Sequence, residues 1–250
     1  MKPLFSIITV TYNAAGTVGR TLESVASQTC RLYEHIVVDG ASKDGTLKIV
    51  DAAAGADLRK AISEPDDGLY DAMNKGLGMA RGDYLIFLNA GDKFHSENVL
   101  QDLADIIMAE DYPGVVYGQT DLVDDRGRRI GERHLRAPEH LKYKDFARGM
   151  LVCHQAFVVL RRLAEPYDTR WRFSADYEWC IRCLQHSRNN VYADEVLVDY
   201  LSEGLTTANR RASLWERFRI MSRYYGLFPT VWRHFGFFFR NRRYQKSLNK

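Results

Sequence analysis

Aspartates stand at four points along the chain where an apolar run gives way to a turn or a helix. They are Asp39, the pair Asp66 and Asp67, Asp92, and Asp176. Carboxylate oxygens are hard ligands that bind Mg²⁺ or Mn²⁺, and such a metal neutralises the phosphates of a nucleotide diphosphate. A carboxylate that binds no metal can act as a general base. If the fold brings these acids together, they suit group transfer from a nucleotide diphosphate.

The stretch from Gly82 to Asp92 contains the clearest of these points. Residues 84–88 are all apolar and are bounded by a Gly-Asp pair and a glycine-containing turn, which is typical of a strand buried on both faces. The turn then presents Asn89, Ala90 and Asp92. Because open α/β sheets bind ligands at the carboxyl ends of their strands, this turn is a predicted ligand site.

Earlier apolar runs also end in polar residues. Leu4–Val10 predicts a first strand that is followed by Thr11, Tyr12 and Asn13, and His35–Asp39 predicts a second strand that ends in an acid. Loops at the carboxyl ends of parallel strands converge on one rim of a sheet. We therefore expect these side chains to face a common cleft.

A third short strand, Lys60–Ser63, leads through a turn with Asp66 into a helix predicted from Leu69 to about Ala80. Three-and-four spacing places Asn74 on the same helix face as apolar side chains. Two interpretations of Asn74 stay open: a structural hydrogen bond to a neighbouring loop, or a contact to a ligand.

Alternation of strands and helices to about residue 120 predicts an α/β fold with a first domain over residues 1–207. No Gly-x-Gly-x-x-Gly and no phosphate-loop Gly-Lys-Ser/Thr occurs, so a classical dinucleotide site is not predicted. After Gln119 we expect a hairpin, a polar strand to Arg136 and a helix from Glu139 to Arg148. This second half should form the acceptor side of the cleft.

Two polar segments of the second half are candidates for that side. Residues 153–155 (Cys-His-Gln) precede an apolar strand, where a histidine is more often a hydrogen-bonded structural residue. Ser174 can cap a helix that runs to about His186 and has Asp176 and Glu178 in its first turn. The helix dipole alone can explain acids in that position.

Composition indicates an ordinary globular protein of the reducing cytosol. The chain has 250 residues, of which 46% are apolar, enough for a substantial core. Its four cysteines are too few and too irregular for a disulfide framework, and we find no signal segment before the first strand. Cys180 and Cys183 have no second Cys/His pair at similar spacing, so two thiols on one helix face are favoured over a zinc site.

The C-terminal segment concentrates the basic charge. Residues 210–250 contain eleven Lys and Arg and a single Glu, a net charge of +10, whereas residues 1–209 carry −7. Aromatic and arginine-rich segments lie in membrane interfaces, so we predict a helical extension over residues 208–250 that associates with a membrane surface. Pro229 and the Arg233-His234 pair interrupt it too often for a span, which needs roughly 20 apolar residues. Packing of the aromatics on the domain is an equally good interpretation, and nucleic acid is not expected because no recognition motif is present.

Four segments follow one another in a characteristic order. They are residues 6–13 (SIITVTYN), 37–46 (VVDGASKDGT), 64–74 (EPDDGLYDAMN) and 74–84, where NKG is followed by ARGDY. In this order and spacing they resemble the inverting glycosyltransferases of family 2, in particular members that assemble bacterial exopolysaccharide or O-antigen repeat units. The resemblance covers about residues 3–207. It implies a GT-A fold, which is Rossmann-like with a mainly parallel central sheet flanked by helices.

The resemblance also implies roles for individual residues. The nucleotide-sugar pocket would be formed by Thr11, Tyr12, Asn13, Asp39, Asp66, Asn74, Asn89 and Ala90. Tyr12 would stack on uracil and Asp39 would hydrogen-bond the base. Asp92 would hold Mg²⁺ or Mn²⁺, although the family's Asp-x-Asp-Asp turn here reads Asn-Ala-Gly-Asp, with one acid.

By the same resemblance, Asp176 falls where the family places its catalytic base. His154, Gln155, Glu178 and Trp179 would border the acceptor, and residues 204–207 would form a loop that closes over the pyrophosphate. The implied reaction is a single displacement from a nucleotide-sugar donor. The implied acceptor is a glycan linked to polyprenyl diphosphate, at the inner face of the cytoplasmic membrane.

Two other classes of function remain to be compared. A non-catalytic nucleotide-sugar-binding or scaffold protein would explain why the turn at residues 89–92 has a single acid. The retention of Asp92 and Asp176 argues against this class. A nucleotidyltransferase would need a glycine-rich, basic phosphate loop after the first strand, and Thr11 to Gly16 offers none.

Overall fold

The computed structural model describes residues 2–53, 55–202 and 209–234. Its strands are β1 (Phe5–Thr11), β2 (Tyr33–Asp39), β3 (Arg59–Ser63), β4 (Tyr84–Phe87), β5 (Lys93–Phe94), β6 (Val115–Val123), β7 (Arg129–Glu132), β8 (Phe157–Leu160) and β9 (Asn190–Leu201). Its α-helices are α1 (Val18–Ala26), α2 (Thr46–Ala52), α3 (Leu69–Met79), α4 (Val99–Ala109), α5 (Ala175–His186) and α6 (Arg210–Tyr225). Residues 227–234 are also helical.

The strands form one sheet in the order β3-β2-β1-β4-β8-β6-β9-β5, and β7 pairs with β6 beside it. The first half is parallel, with β1 between β2 and β4 and with β3 on the far side of β2. The second half is mixed: β8 runs antiparallel to β4 and β6, while β9 runs parallel to β6. The predicted α/β fold with a parallel sheet is thus confirmed for the N-terminal half, and the second half adds antiparallel pairs.

Apolar sequences explain why β1, β2 and β4 form the centre of the sheet. Every residue of these three strands is buried. Four of their polar side chains pair between β1 and β2, since the Ser6 hydroxyl donates to Glu34 (2.8 Å) and the Thr9 hydroxyl lies 3.0 Å from His35 Nε2. β1 and β2 are in register to their last residues, Thr11 and Asp39, which are paired.

Helices cover both faces of the sheet. On one face, α3, α5 and α6 contribute Met73, Ile181 and Ile220 to a single buried apolar cluster. On the other face, α1 and α4 contribute Val25 and Leu103 to a second cluster. This three-layer arrangement buries both sides of the central strands, which is why those strands are apolar without alternation.

One predicted helix takes a different form. Residues 139–148 were expected to be α-helical, but the structure has a short 3₁₀ helix, Tyr143–Arg148. Leu141, which precedes this helix, and Phe146, which lies within it, are both buried. An α-helix over residues 139–148 would turn these two side chains, five residues apart, to different faces, so packing of both on the core favours the shorter 3₁₀ helix.

The described part of the C-terminal segment packs on the domain. The Glu216 carboxylate accepts hydrogen bonds from the backbone N–H groups of Arg172 (2.9 Å) and Phe173 (2.8 Å), just before α5. Ile220 and Met221 are buried in the core. The predicted boundary at residue 207 lies outside the described residues. Among the described helices, none combines the length and the apolar content needed to cross a membrane.

Gly82 fixes the distance between the loop before β4 and the backbone of β1. A Cβ atom at this position would lie 2.5 Å from the backbone nitrogen of Ser6 and 2.6 Å from the carbonyl carbon of Phe5. We expect Gly82→Ala to lower the free energy of unfolding by about 1–3 kcal/mol, because backbone cannot yield as a side chain does. Urea denaturation measures this change.

Gly78→Ala is the matched control. A Cβ atom at Gly78, within α3, would meet nothing within 4 Å. This variant should be more stable than the wild type by about 0.5–1 kcal/mol, since alanine is the better helix former. Equal stability of Gly82→Ala and the wild type would contradict the close packing at β1.

Candidate active site

Many of the predicted site residues meet in a cavity of about 410 Å³ at the carboxyl ends of β1 and β4. The predicted residues in its lining are Thr11, Tyr12, Asn89, Ala90, Asp92, His154, Gln155 and Asp176. Two larger cavities, of about 620 and 720 Å³, contain none of the predicted residues. The predicted residues therefore gather where the strand ends converge, and not in the larger cavities.

Asp92 lies in a tight turn after β4 that Thr21 stabilises from α1. The Thr21 hydroxyl donates to the Asp92 carbonyl oxygen (2.6 Å) and accepts from the backbone N–H of Gly91 (2.9 Å). Gly91 has φ +104°, and a Cβ atom there would lie 2.8 Å from Leu201 Cδ2. A steric constraint therefore favours glycine where the family usually has a second acid.

The carboxylate of Asp92 is almost completely buried. Its Oδ2 accepts a hydrogen bond from Gln155 Nε2 (2.9 Å), and its Oδ1 accepts one from the backbone N–H of Leu201 (2.9 Å). Burial raises the pKa of Asp92 to about 7, although both hydrogen bonds and the charge of Arg20 act in the opposite direction. A cation bound beside this carboxylate would stabilise its ionised form.

Oxygen donors next to Asp92 fit a divalent cation. Asn89 Oδ1 is buried at the cavity and has no hydrogen-bond partner among the described residues. Carboxylate and amide oxygens are the ligands that Mg²⁺ and Mn²⁺ prefer. Asp92 and Asn89 are therefore the residues that could hold such an ion, and only Asp92 supplies charge.

A second group of potential ligands, His95, Asp121 and Asp199, lies outside the cavity. Its carboxylates already have cationic partners, because Lys93 lies 3.1 Å from Asp199 and Arg129 lies 2.5 Å from Asp121. His95 Nδ1 is 2.7 Å from Asp199. A metal would have to displace these ion pairs, so this group fits a metal less well than the turn at Asp92.

Asp176 stands in the first turn of α5 and faces the same cavity. Its Oδ1 accepts hydrogen bonds from the backbone N–H of Tyr177 (2.8 Å) and from the Tyr70 hydroxyl (3.0 Å). Tyr70 is held in turn by stacking on Tyr167, with ring centroids 5.7 Å apart. The carboxylate is thus fixed in one orientation but remains half-buried at the cavity, where it can accept a proton from a bound hydroxyl group.

Tyr12, Asp39 and Asp66 lie around Gly40, beside the end of the cavity at β1. A Cβ atom at Gly40 would clash with the Asp66 carboxylate and lie 3.3 Å from Tyr12 Cδ2, so these groups pack closely over the glycine. The Tyr12 side chain is 67% exposed and offers a free ring face. Asp39 is buried and accepts hydrogen bonds from Ser63 Oγ (2.7 Å) and other groups, so it lies behind the cavity wall and does not line it.

Thr11 and Asn13 have different roles after β1. The Thr11 hydroxyl is buried at the cavity and has no hydrogen-bond partner in the described parts of the chain. Asn13, with φ +47°, does not line the cavity; its side-chain oxygen accepts a hydrogen bond from the backbone N–H of Lys43 (3.0 Å). Thr11 is thus available to a ligand, whereas Asn13 shapes the turn.

His154 lines the cavity but belongs to an aromatic cluster. Its Nε2 is 2.7 Å from the Tyr167 hydroxyl, and its ring lies against Phe87 and Trp179 at 5.0 and 5.5 Å. Burial lowers the pKa of His154 to about 4, although the charge of Asp176 acts in the opposite direction. The histidine is therefore neutral at pH 7, and the structural interpretation from the sequence is the one that its contacts favour.

Asn74 does not line the cavity. Its amide group makes two hydrogen bonds to the backbone of Tyr167: Nδ2 donates to the carbonyl oxygen (3.0 Å) and Oδ1 accepts from the N–H (2.7 Å). Of the two interpretations left open by the sequence, the structural hydrogen bond is the one observed.

Glu178 and Trp179 do not line the cavity either. Both are buried, and they lie two and three residues beyond Asp176 on α5, which turns them toward other neighbours. Glu178 accepts hydrogen bonds from Arg182 (2.8 Å) and from the Tyr224 hydroxyl, and the Trp179 indole donates to the carbonyl oxygen of Glu165 (2.8 Å). Their placement does not fit the expected contact with an acceptor. The loop expected at residues 204–207 lies outside the described residues.

Sequence reasoning did not find the cations of this cavity. Arg133, after β7, and Arg217, on α6, both line it. Neither belongs to one of the recognised motifs, and a charge in a polar loop or a basic tail gives no signal of where it will point. Tyr70 could have been found, because it stands inside the recognised segment 64–74 and on the inward face of its helix.

The family is shown by comparison with known sequences. Residues 6–165 match the profile described as Glycosyl transferase family 2. The chain is 35% identical over 189 residues to a PGL/p-HBAD biosynthesis glycosyltransferase of Mycobacterium bovis, covering 74% of this chain and 71% of that protein. It is 29% identical over 208 residues to the amylovoran biosynthesis glycosyltransferase AmsB of Erwinia amylovora, covering 78% and 69%. The chain belongs to glycosyltransferase family 2, which confirms the resemblance of its motifs.

Solved structures share the fold. S. aureus TarS 1–349 in complex with UDP-GlcNAc superposes with a TM-score of 0.69 at 20% identity, covering 95% of this chain and 73% of that one. The mannosyltransferase PcManGT from Pyrobaculum calidifontis, in complex with GDP-Man and Mn²⁺, superposes with a TM-score of 0.67 at 19% identity, covering 94% and 70%. The chain therefore has the predicted GT-A fold and is a glycosyltransferase.

The depressed pKa of His154 predicts a loss of stability in acid. Its folded-state pKa of about 4 lies below the ordinary value of 6.5. The contribution of the neutral His154 side chain to the free energy of unfolding is therefore complete above pH 6.5 and is lost as pH falls toward 4. We expect the free energy of unfolding of His154→Gln to fall less steeply than that of the wild type over this range. The difference should approach about 1.4 kcal/mol per pH unit.

Urea denaturation at a series of pH values measures these slopes. The matched control is His140→Gln, because His140 is exposed and the substitution changes the same residue type. It should keep the wild-type slope. If His154→Gln and the wild type lose stability in parallel, His154 is not held neutral in the folded protein.

Proposed function

We propose that this glycosyltransferase moves a hexose from a nucleotide-sugar donor, in the first instance a UDP-sugar, to a hydroxyl group of a glycan acceptor, with inversion at the anomeric carbon. The observation that supports this proposal most strongly is that Asp92 and Asp176 line one cavity. Asp92 can hold a cation for the donor diphosphate, and Asp176 can accept the proton of the acceptor hydroxyl.

In this proposal the donor nucleotide binds at the β1 end of the cavity. The exposed ring of Tyr12 offers a stacking surface for a base, with Asp66 close to it over Gly40. The hydroxyl of Thr11, which has no partner among the described residues, lines the same cavity as Asn89 and can bind a ribose or diphosphate oxygen. The complexes of TarS with UDP-GlcNAc and of PcManGT with GDP-Man support a nucleotide-sugar donor on this fold.

Asp92 and Asn89 would hold a divalent cation, Mg²⁺ or Mn²⁺, and such an ion supplies charge neutralisation for the leaving diphosphate. Support comes from the buried carboxylate, the unpartnered amide oxygen beside it and the Mn²⁺ in the PcManGT complex. Gln155 keeps the Asp92 carboxylate in position through its hydrogen bond.

Asp176 acts as the general base in this proposal. As the acceptor oxygen attacks the anomeric carbon from the face opposite the nucleotide, its proton passes to the carboxylate of Asp176. Tyr70 positions that carboxylate, because its hydroxyl donates to Oδ1 (3.0 Å) and leaves Oδ2 for the incoming hydroxyl. Bond formation and proton loss proceed together, so an ordinary carboxylate is a sufficient base.

The acceptor is proposed to be lipid-linked and presented at the inner face of the cytoplasmic membrane. Six large apolar side chains are exposed in the described part of the C-terminal segment; this apolar patch comprises Leu214, Trp215, Leu227, Phe228, Val231 and Trp232. Exposed arginines accompany it on α6, and aromatic groups combined with cations suit an anionic lipid surface. The names of the relatives place them in PGL/p-HBAD and amylovoran biosynthesis, which supports an acceptor that is a glycolipid or a growing polysaccharide.

Asp176→Asn tests the catalytic assignment. We expect the variant to bind the donor within about twofold of the wild type, because Asp176 lies on the acceptor side. Transfer should fall by about 10²–10⁴-fold, since the amide cannot accept the proton. Donor binding is measured by calorimetry and transfer by release of the nucleoside diphosphate in the presence of acceptor.

Asp105→Asn, an exposed acid on α4, is the matched control and should transfer at the wild-type rate. Normal transfer by Asp176→Asn would remove this residue from the mechanism. If the wild-type protein binds the donor but releases no nucleoside diphosphate even with Mn²⁺, the non-catalytic binding protein is the better interpretation of the single-acid turn.

The membrane proposal is tested at the two most exposed aromatics, Phe228 and Trp232, which are 87% and 80% exposed. The double variant Phe228→Ser with Trp232→Ser should bind vesicles of phosphatidylcholine and phosphatidylglycerol at least about tenfold more weakly. The reason is that the variant lacks the free energy gained when each aromatic ring moves from water into the membrane. Vesicle sedimentation measures the partition. High salt should weaken the wild type as well.

Met108→Ser with Ile130→Ser is the control pair, since these side chains are 59% and 56% exposed elsewhere on the molecule. This pair should leave vesicle binding unchanged. Equal loss in both double variants, or in neither, would contradict a specific role of the apolar patch.

A further inference from the structure

Helix α6 holds Arg217 at the cavity through contacts that the turn before it makes with the start of α5. Glu216 accepts two backbone hydrogen bonds from Arg172 and Phe173, immediately before the helix that carries Asp176. One turn earlier, the Ser213 hydroxyl lies 3.0 Å from that of Ser174. The helix is therefore fixed to the N-terminal end of α5, where the proposed base stands.

Arg217 itself lies on the Asp176 side of the cavity. Its guanidinium carbon is 5.8 Å from the centre of the Tyr177 ring, and Tyr177 follows Asp176 in the chain. Burial raises the pKa of Tyr70, which donates to Asp176, and the charge of Arg217 acts against that rise. Arg133, by contrast, acts on Cys153, whose pKa burial raises: the charge of Arg133 lowers that pKa and the charge of Asp92 raises it.

No anion in the described parts of the chain balances Arg217. Arg217 forms no ion pair with a carboxylate of these residues, and its Nε is buried without a hydrogen-bond partner among them. Arginine does not lose its proton in proteins, so a half-buried guanidinium without a counter-ion carries a desolvation cost. A ligand with negative charge at this end of the cavity would offset that cost.

We infer that Arg217 forms an acceptor subsite for a phosphate or diphosphate group carried close to the accepting hydroxyl. The inference rests on the proposed function, because it takes Asp176 as the group that meets that hydroxyl. In the proposed function, the donor diphosphate binds near Asp92, Asn89 and Thr11, away from Asp176. An anion beside Asp176 therefore belongs to the acceptor, and a planar guanidinium matches phosphate oxygens in a two-point contact.

The helix that carries Arg217 also carries part of the apolar patch. Trp215 is 62% exposed, and its ring stacks on Phe218 at 5.6 Å. Phe218 in turn contacts His234 of the helical residues 227–234 at 5.1 Å, which joins α6 to the rest of the patch. One structural unit thus presents a cation to the reaction cavity and apolar side chains to the surroundings. That combination suits an acceptor whose phosphate links a sugar to a lipid tail.

Binding of phenyl phosphate tests the subsite without any turnover. The donor end is first saturated with UDP and Mn²⁺, or with whichever nucleoside diphosphate stabilises the protein most in a thermal-shift screen. We expect Arg217→Gln to bind phenyl phosphate at least tenfold more weakly than the wild type by calorimetry. Arg217→Lys should retain part of the affinity, which separates loss of charge from loss of folding.

Arg219→Gln is the matched control, because Arg219 is exposed on the same helix, over the Trp171 ring, and does not line the cavity. It should bind phenyl phosphate as the wild type does. Vesicle binding should be equal in Arg217→Gln and the wild type; loss of vesicle binding in Arg217→Gln would assign the arginine to lipid headgroups and overturn the subsite. Unchanged phenyl phosphate affinity in Arg217→Gln, or weakened binding of the nucleoside diphosphate instead, would also overturn it.

Transfer to two synthetic acceptors provides a second readout. One carries the acceptor sugar on an alkyl diphosphate, and the other carries the same sugar on the alkyl chain without phosphate. The wild type should prefer the first by at least tenfold in kcat/KM, and Arg217→Gln should lose that preference with little change for the neutral acceptor. Equal use of both acceptors by the wild type overturns the subsite but leaves the glycosyltransferase function intact. Failure of the wild type on every acceptor tested contradicts the proposed function, and the phenyl phosphate result still decides the role of Arg217.

Discussion

The parallel alignment of β1 with β2 and β4 is the constraint on which the site depends. Thr11 and Asp39 are paired at the ends of β1 and β2, and the turn at Asn89–Asp92 leaves β4 at the same edge. A slip by one residue would turn each of these side chains to the other face of the sheet. Close packing prevents such movement. A Cβ atom at Gly76 would lie 2.5 Å from Ile8 Cγ2, and a Cβ atom at Gly82 would lie 2.5 Å from the backbone nitrogen of Ser6 in β1.

The sequence was most informative where a single physical rule decides the structure. Uninterrupted apolar runs predicted β1, β2 and β4, and the convergence of strand ends predicted that Asp92 and Asp176 would share a cleft. The same reasoning located Asp39 beside the site but could not show that Ser63 and its neighbours occupy the carboxylate. Strand ends can be read from the chain, whereas the partners of a side chain depend on packing between distant segments.

Elements governed by tertiary contacts were harder to predict. Glu178 and Trp179 follow Asp176 directly, yet helical rotation directs them to Arg182 and to the carbonyl oxygen of Glu165. For the C-terminal segment, the sequence left open whether its aromatics pack on the domain or meet a membrane surface. Buried Ile220 and Met221 fix the described part of the segment to the core, and Arg217 of the same helix lines the cavity.

The buried carboxylate of Asp92 and the half-buried guanidinium of Arg217 link the stability of the free protein to the binding of ligands. Burial raises the pKa of Asp92 to about 7, and Arg217 has a buried Nε without a partner in the described chain. Both arrangements weaken the free protein and become favourable when a ligand of opposite charge arrives. A diffraction experiment on crystals grown with a nucleoside diphosphate and Mn²⁺ tests this view most directly. We expect the anomalous signal of Mn²⁺ at the Asp92 carboxylate, with the diphosphate in the cavity that Asp176 lines. Manganese at His95, Asp121 and Asp199, or a nucleotide bound away from Asp92, would contradict the shared site.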